Sequence, residues 1–161
     1  MNTHTVLPTR LGDLTIVRDG NTIVGLYFPH HWYRPAAETF GPRDDEGFGD
    51  VAAQLDEYLA GERREFDLPL DARGDPLQRR VWALIAEIGY GETTTYGELA
   101  RRLNGDANPQ QVGAAVGRNP LSILIPCHRV VGGNGKLTGY AGGLRRKREL
   151  LDLEQLTLLP L

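Results

Sequence analysis

Apolar and polar positions alternate early in the chain and recur at helical spacing later. Leu14-Thr15-Ile16-Val17-Arg18 and Thr22-Ile23-Val24-Gly25-Leu26-Tyr27-Phe28 are runs rich in β-branched residues on either side of Asp19-Gly20-Asn21. An Asp-Gly pair favours the left-handed backbone of a tight hairpin, so the pattern predicts two antiparallel strands. His30 to Gly49, rich in Pro, Gly and acids, predicts an irregular surface loop. Over 51–60 the residues Val51, Leu55, Tyr58 and Leu59 share one helical face, and Gly61 closes that helix. Phe66-Asp67-Leu68-Pro69-Leu70 alternates like a strand, with Pro69 marking an edge. Residues 71–76 read as a linker.

Beyond Leu77 the helical period dominates. Val81, Trp82, Leu84, Ile85 and Ile88 predict a helix over 77–88 that ends at Gly89-Tyr90-Gly91. Thr95-Tyr96-Gly97-Glu98 fits a capping box opening a short helix to Leu103. After the turn Asn104-Gly105-Asp106-Ala107, Asn108-Pro109 supplies an N-cap and a first-turn proline for a helix over 110–117. Two short helices around a Gly-containing turn match a helix-turn-helix, although such a pair is more often an ordinary helical hairpin. The second of them carries Gly113, Ala114, Ala115 and Gly117, and each helical glycine costs ~1 kcal/mol. Something therefore approaches this backbone closely, either another helix or the wall of a minor groove ~6 Å wide.

Composition narrows the class. A chain of 161 residues, 40% hydrophobic and 24% charged, builds one globular unit or two small lobes. A single Cys excludes an intrachain disulfide framework and a cysteine-based zinc cluster. His30 and His31 read as solvated loop residues, so no metal and no cofactor are expected. The absence of a long apolar run and of a secretory pattern predicts a cytoplasmic protein that does not engage a membrane. The net charge of −3 conceals an asymmetry: residues 1–75 hold 7 basic and 14 acidic side chains, residues 76–149 hold 11 and 5. That basic segment suits a polyanion, or forms an unevenly charged solvated surface.

The reactive candidates cluster between 119 and 140. Pro126-Cys127-His128-Arg129-Val130-Val131 follows the apolar run Leu121-Ser122-Ile123-Leu124-Ile125. A thiol becomes nucleophilic on ionising, with a free pKa of ~8.5, and a base or a positive surrounding promotes this. A lone Cys is otherwise an inert core residue. The glycine-rich stretch 132–143 lacks the Lys-Ser or Lys-Thr of a phosphate loop and reads as a flexible pocket wall, with Tyr140 available to stack. A terminal helix over 144–153 carries Arg145-Arg146-Lys147-Arg148.

Pro126-Cys127-His128-Arg129-Val130 resembles the active-site signature of the O6-alkylguanine-DNA alkyltransferases. The resemblance runs over roughly 77–154, through Gln78-Arg79-Arg80-Val81-Trp82, Gly91 to Ala100, Val112-Gly113-Ala114-Ala115, Arg118-Asn119-Pro120 and Gly139-Tyr140-Ala141-Gly142-Gly143. It implies an α+β fold: a small ribonuclease-H-like β-rich N-terminal lobe over 1–75, and a helical C-terminal lobe with a helix-turn-helix over 76–161. It further implies a suicide repair protein that flips an alkylated guanine out of duplex DNA and takes the alkyl group onto its own cysteine. By the same resemblance Cys127 is the acceptor and His128 the base acting through a water. Glu154 orients that histidine, Asn119 braces the site, and Tyr96 donates to the guanine ring. Val130, Gly139, Tyr140, Ala141 and Gly142 would form the base pocket. Gln110, Gln111, Gly113, Ala114 and Arg118, together with Thr95, Arg101 and Arg102, would meet DNA through the minor groove.

One position departs from the family pattern: an arginine usually opens the recognition helix and fills the gap left by the flipped base, and here Gln110 stands there, with Gln111 or Arg118 as substitutes. Two other functions share some of these features. A non-catalytic lesion-binding module would lack the reactive cysteine, and a cysteine hydrolase would turn over. No obligate protein partner is expected.

Overall fold

The computed structural model describes residues 1–158. Three antiparallel strands, β1 (Asn2–Thr9), β2 (Gly12–Asp19) and β3 (Thr22–Tyr27), form a meander in the order β1-β2-β3. The predicted hairpin is β2–β3, with Gly20 at φ +61° in its turn and an irregularity between Val17 and Arg18. β1 is a strand that the periodicity did not predict. It lies at the sheet edge with only Thr5 buried, so no run of apolar positions marks it. Only a single parallel bridge, Leu70 to Ile23, survives of the strand expected over 66–70. Pro69 has no N–H to extend the ladder.

The acidic loop is less open than its composition suggests. It turns twice in 3-10 geometry, over Ala37–Phe40 and Asp45–Phe48, and buries both phenylalanines. His31, expected in solvent, is buried: its Nδ1 accepts from the Phe28 N–H at 3.2 Å, and its ring stacks on Phe28. Burial holds its pKa down at about 4, so it is neutral.

Helix α1 (Gly49–Leu59) buries Val51, Leu55 and Tyr58, and α2 (Pro76–Ala86) buries Val81, Trp82 and Ile85. A two-residue strand β4 (Thr94–Thr95) leads into α3 (Tyr96–Arg102), and a turn connects this to α4 (Pro109–Gly117). β4 pairs in parallel with β5 (Val130–Val131), and α5 (Leu144–Leu158) completes the chain described. The reciprocal capping boxes are Asp75/Gln78 and Asn108/Gln111. At Thr95 only half of the predicted box forms: its hydroxyl accepts from the Glu98 N–H at 3.0 Å, while the Glu98 carboxylate pairs with Arg101.

One buried cluster runs from Leu14 and Phe28 through Tyr58, Trp82 and Val112 to Cys127 and Leu150, so the sheet and the later helices share a core. The Trp82 indole donates to the Ala115 carbonyl at 2.8 Å and ties α2 to α4. The basic run at the start of α5 is not an open cationic face. Arg146 reaches the Leu11 and Gly142 carbonyls and lies over the Phe28 ring, and Lys147 is fully buried. Arg145 and Arg148 stand out in solvent, each facing an acid one turn later, Glu149 and Asp152.

Candidate active site

Cys127 opens a 3-10 turn, Cys127–Arg129, directly before β5. The segment leading to it is clamped by one side chain. The Asn119 amide donates to the Ile125 carbonyl and its oxygen accepts from the Leu121 N–H, both at 2.9 Å. Inside that clamp Ile123 holds φ at +71°, a left-handed conformation that a β-branched residue adopts only when its surroundings impose it. The clamp delivers Cys127 with 2% of its surface exposed. Burial raises its thiol pKa, opposed by the Asn119 side chain and the charge of Lys147. At rest the sulfur therefore carries its proton.

His128, next to Cys127 in sequence, belongs to a buried acid–base cluster centred on Glu154. Its Oε2 receives His128 Nε2 at 2.7 Å, the Tyr58 hydroxyl at 2.5 Å and Arg129 Nη2 at 3.0 Å. Its Oε1 receives Arg129 Nε at 2.9 Å and the Gly91 N–H at 3.1 Å. Burial alone would raise this carboxyl's pKa; the donors from His128 and Arg129 overrule it and hold the pKa at about 2. His128 is driven the other way, since burial outweighs the Glu154 contact and keeps the imidazole neutral. With Nε2 turned to the carboxylate, His128 Nδ1 has no hydrogen-bond partner among the described residues.

In front of the thiol opens a cleft of about 370 Å3. Cys127, Tyr96, Gly139, Tyr140, Ala141, Gln110 and Gly113 line it, so the structure brings together seven of the residues singled out by sequence. Gly113 and Gly117 face this space together with Val116, whereas α4 packs inward through Val112 and Ala115, so its glycines serve the cleft more than helix packing. The Thr138 hydroxyl donates to the Tyr96 phenol oxygen at 2.9 Å, which leaves the phenol's own hydrogen free to be donated. Burial raises the Tyr96 pKa, so the phenol stays protonated. Tyr140 is not an open stacking plate: it is buried, edge-on to Phe28.

Other predicted residues stand around the cleft, not in it. His128, Glu154 and Asn119 are buried and do not line the cleft. The Val130 carbonyl accepts from Lys147 Nζ at 2.6 Å, and Gly142 packs against Phe28. Thr95 caps α3, and Arg101 is exposed beside Glu98. Ala114 is exposed on α4. Gln111 is committed to the Asn108 capping box, and the Arg118 guanidinium lies 3.7 Å from the Tyr33 ring centre. Both substitutes considered for the missing arginine are thus occupied, and Gln110 stands exposed beside Pro109 at the start of α4 on the cleft.

Sequence reasoning missed Tyr58, Gly91, Arg129, Lys147 and Trp32. Arg129 stood inside the signature block and was readable there. Lys147 was masked by its basic neighbours; burial lowers its pKa to about 8, and its ammonium holds the carbonyls of Val130 and Thr138. Tyr58 lies 96 positions from Glu154 and carried no local signal.

The comparisons agree along the whole chain. The family described as 6-O-methylguanine DNA methyltransferase, DNA binding domain, matches residues 76–156, and its ribonuclease-like domain matches residues 2–72. A methylated-DNA–protein-cysteine methyltransferase of Mycobacterium bovis is 42% identical over 94% of this chain and 92% of its own length. One from Haemophilus influenzae is 40% identical over 95% of this chain and 86% of its own. The crystal structure of Mycobacterium tuberculosis OGT in complex with DNA superposes with a TM-score of 0.90 at 41% identity, covering 96% of this chain and 94% of that one. The α+β expectation, a small N-terminal sheet followed by a helical region, is met. With both halves matched and the acid–base cluster in place, the chain belongs to the methylated-DNA–protein-cysteine methyltransferase family.

Proposed function

We propose that the protein binds duplex DNA through the minor groove, extrudes an O6-alkylated guanine into the cleft, and moves the alkyl group irreversibly onto Cys127. The observation that carries this reading is a buried thiol lining the cleft, followed in the chain by a neutral histidine whose Nε2 is pinned to Glu154 and whose Nδ1 is unengaged.

The thiol proton passes through one water to His128 Nδ1, and the imidazolium that forms is stabilised by the Glu154 carboxylate. Sulfur forms the new S–C bond in line as the C–O6 bond breaks, and the electron pair departs on the guanine. Tyr96 meets the developing negative charge by donating its phenol hydrogen to the purine ring. Guanine leaves, the thioether resists hydrolysis, and each molecule acts once.

On DNA, α4 is the groove element and its small residues admit the backbone; Arg101, Arg118 and helix-terminal amides meet phosphates without reading sequence. Thr95 belongs to this set through the N-terminus of α3. In the cytoplasm a lone thiol stays reduced and ready. Among the described residues no helix is long and apolar enough to cross a membrane.

The test is intact-protein mass spectrometry after incubation with duplex carrying one O6-methylguanine. One added methyl on the wild type, absent from Cys127→Ser, is expected. Repeated release of product without added mass would mean a hydrolase. Lesion-selective binding with no transfer would mean a sensor.

A further inference from the structure

Three aromatic residues line the cleft, and they differ in what they leave free. Tyr140 is buried and Tyr96 is half-buried and engaged with Thr138, whereas Trp32 has 49% of its surface exposed. Trp32 is also the one lining residue, among those described, that comes from before α2. Its placement is built, not incidental. The flanking His30 and Tyr33 hold φ at +56° and +54°, left-handed values for residues with full side chains. The Trp32 N–H donates to the Ala141 carbonyl at 3.0 Å, fastening this turn to one wall of the cleft. Tyr33 lies against the Arg118 guanidinium at the end of α4 and fastens it to the other.

The indole fits the gap between those walls. A Cβ added at Gly139 would come within 2.6 Å of the Trp32 ring, and one at Gly117 within 3.8 Å. Glycine at 139 is therefore a condition for the indole to lie where it does. The second tryptophan, Trp82, is buried and satisfied within the core, so packing accounts for it. Packing does not account for a half-exposed indole strapped across the mouth of the pocket.

We propose that Trp32 is a wall of the base pocket and packs against the extruded alkylguanine. This rests on the alkyl-transfer reading and adds to it a contact from the sheet-bearing part of the chain. A purine entering the cleft presents an apolar face, and stacking on an aromatic side chain favours it whichever alkyl group it carries.

The test compares wild type, Trp32→Ala and Trp32→Phe in two measurements: single-turnover transfer from duplex containing O6-methylguanine at sub-saturating concentration, and affinity for the same duplex without the lesion. Trp32→Ala is expected to slow transfer about tenfold, within the range of one lost base–aromatic stack, while affinity for undamaged duplex stays unchanged. Trp32→Phe restores most of the rate. In a Cys127→Ser background, lesion duplex should change the indole fluorescence, and that change should vanish in Trp32→Phe. Equal transfer by wild type and Trp32→Ala would overturn the proposal. So would a matching loss of affinity for undamaged duplex, which would make Trp32 a DNA-backbone contact. A wild type that transfers nothing would instead overturn the reading beneath it.

Discussion

Replacing Glu154 by Gln keeps the shape of the side chain and removes its charge. The amide cannot satisfy its surroundings in either orientation. With the NH2 at the Oε1 position it faces Arg129 Nε and the Gly91 N–H; at the Oε2 position it faces His128, Tyr58 and Arg129 Nη2, donor against donors. Two routes give the size of the loss. The carboxyl's pKa falls from 4.5 to about 2 on folding, which by linkage corresponds to about 3 kcal/mol at neutral pH. Breaking a buried ion pair while leaving the guanidinium behind costs about 3–5 kcal/mol. Against a total stability of about 5–15 kcal/mol this is large, and at ~2–4 °C per kcal/mol the melting temperature should fall by roughly 10 °C. Thermal unfolding monitored by circular dichroism measures it. A further change, Arg129→Met, should recover stability in the Glu154→Gln background by removing the stranded charge. A Glu154→Gln protein that melts within about 2 °C of wild type would refute the reasoning, because the carboxylate would then carry little net energy.

Stability should decline in acid in two stages. The folded-state pKa of His128 lies below 6.5 and that of Glu154 below 4.5, so the unfolded chain binds these protons first, and stability present above each ordinary value is lost as pH drops beneath it. Urea midpoints taken from pH 8 to pH 2 would show this, and a midpoint that rose on acidification would contradict it. Transfer should stay level from pH 8 down to about 6.5, because burial keeps His128 neutral there; a rate already halved at pH 7 would speak against His128 as the base. Gly142→Ala puts a Cβ 2.3 Å from the buried Phe28 ring and should destabilise by about 1–3 kcal/mol, read as a shifted melting point. Gln110→Arg should tighten lesion-duplex binding or speed transfer, since an inserted guanidinium adds charge and stacking at the flipped-base gap; a variant that gains neither would show that Gln110 suffices.

Sequence reasoning captured what is local. The Asp19-Gly20 hairpin, the Asn108-Pro109 start of α4 and the five-residue block around Cys127 declare themselves within a few positions, because turn, cap and signature chemistry act over that range. It faltered where tertiary structure decides. β1 is stabilised by its register with β2, not by its own composition. The 66–70 alternation met a proline and a single bridging partner. Lys147 reads as one cation among four, yet the fold buries it under two carbonyls, and nothing in the spacing of Arg145 to Arg148 distinguishes it. Trp32 sits in a stretch whose composition announces a loop, and only the closure of the chain brings it to the cleft.

The Glu154 cluster also joins segments that lie far apart in the chain. Its hydrogen bonds span 25 and 26 positions to Arg129 and His128, 63 to Gly91 and 96 to Tyr58. Each such contact closes a long loop of chain, so the partners of the carboxylate meet only when segments far apart in sequence are folded together. Under the proposed mechanism a partly folded chain can present Cys127, but without that carboxylate its histidine is neither oriented nor backed by a charge that stabilises the imidazolium formed when it takes the thiol proton. Under that mechanism competence is tied to the completed fold: a sulfur that can be spent only once has its base in place only when all of these segments have come together.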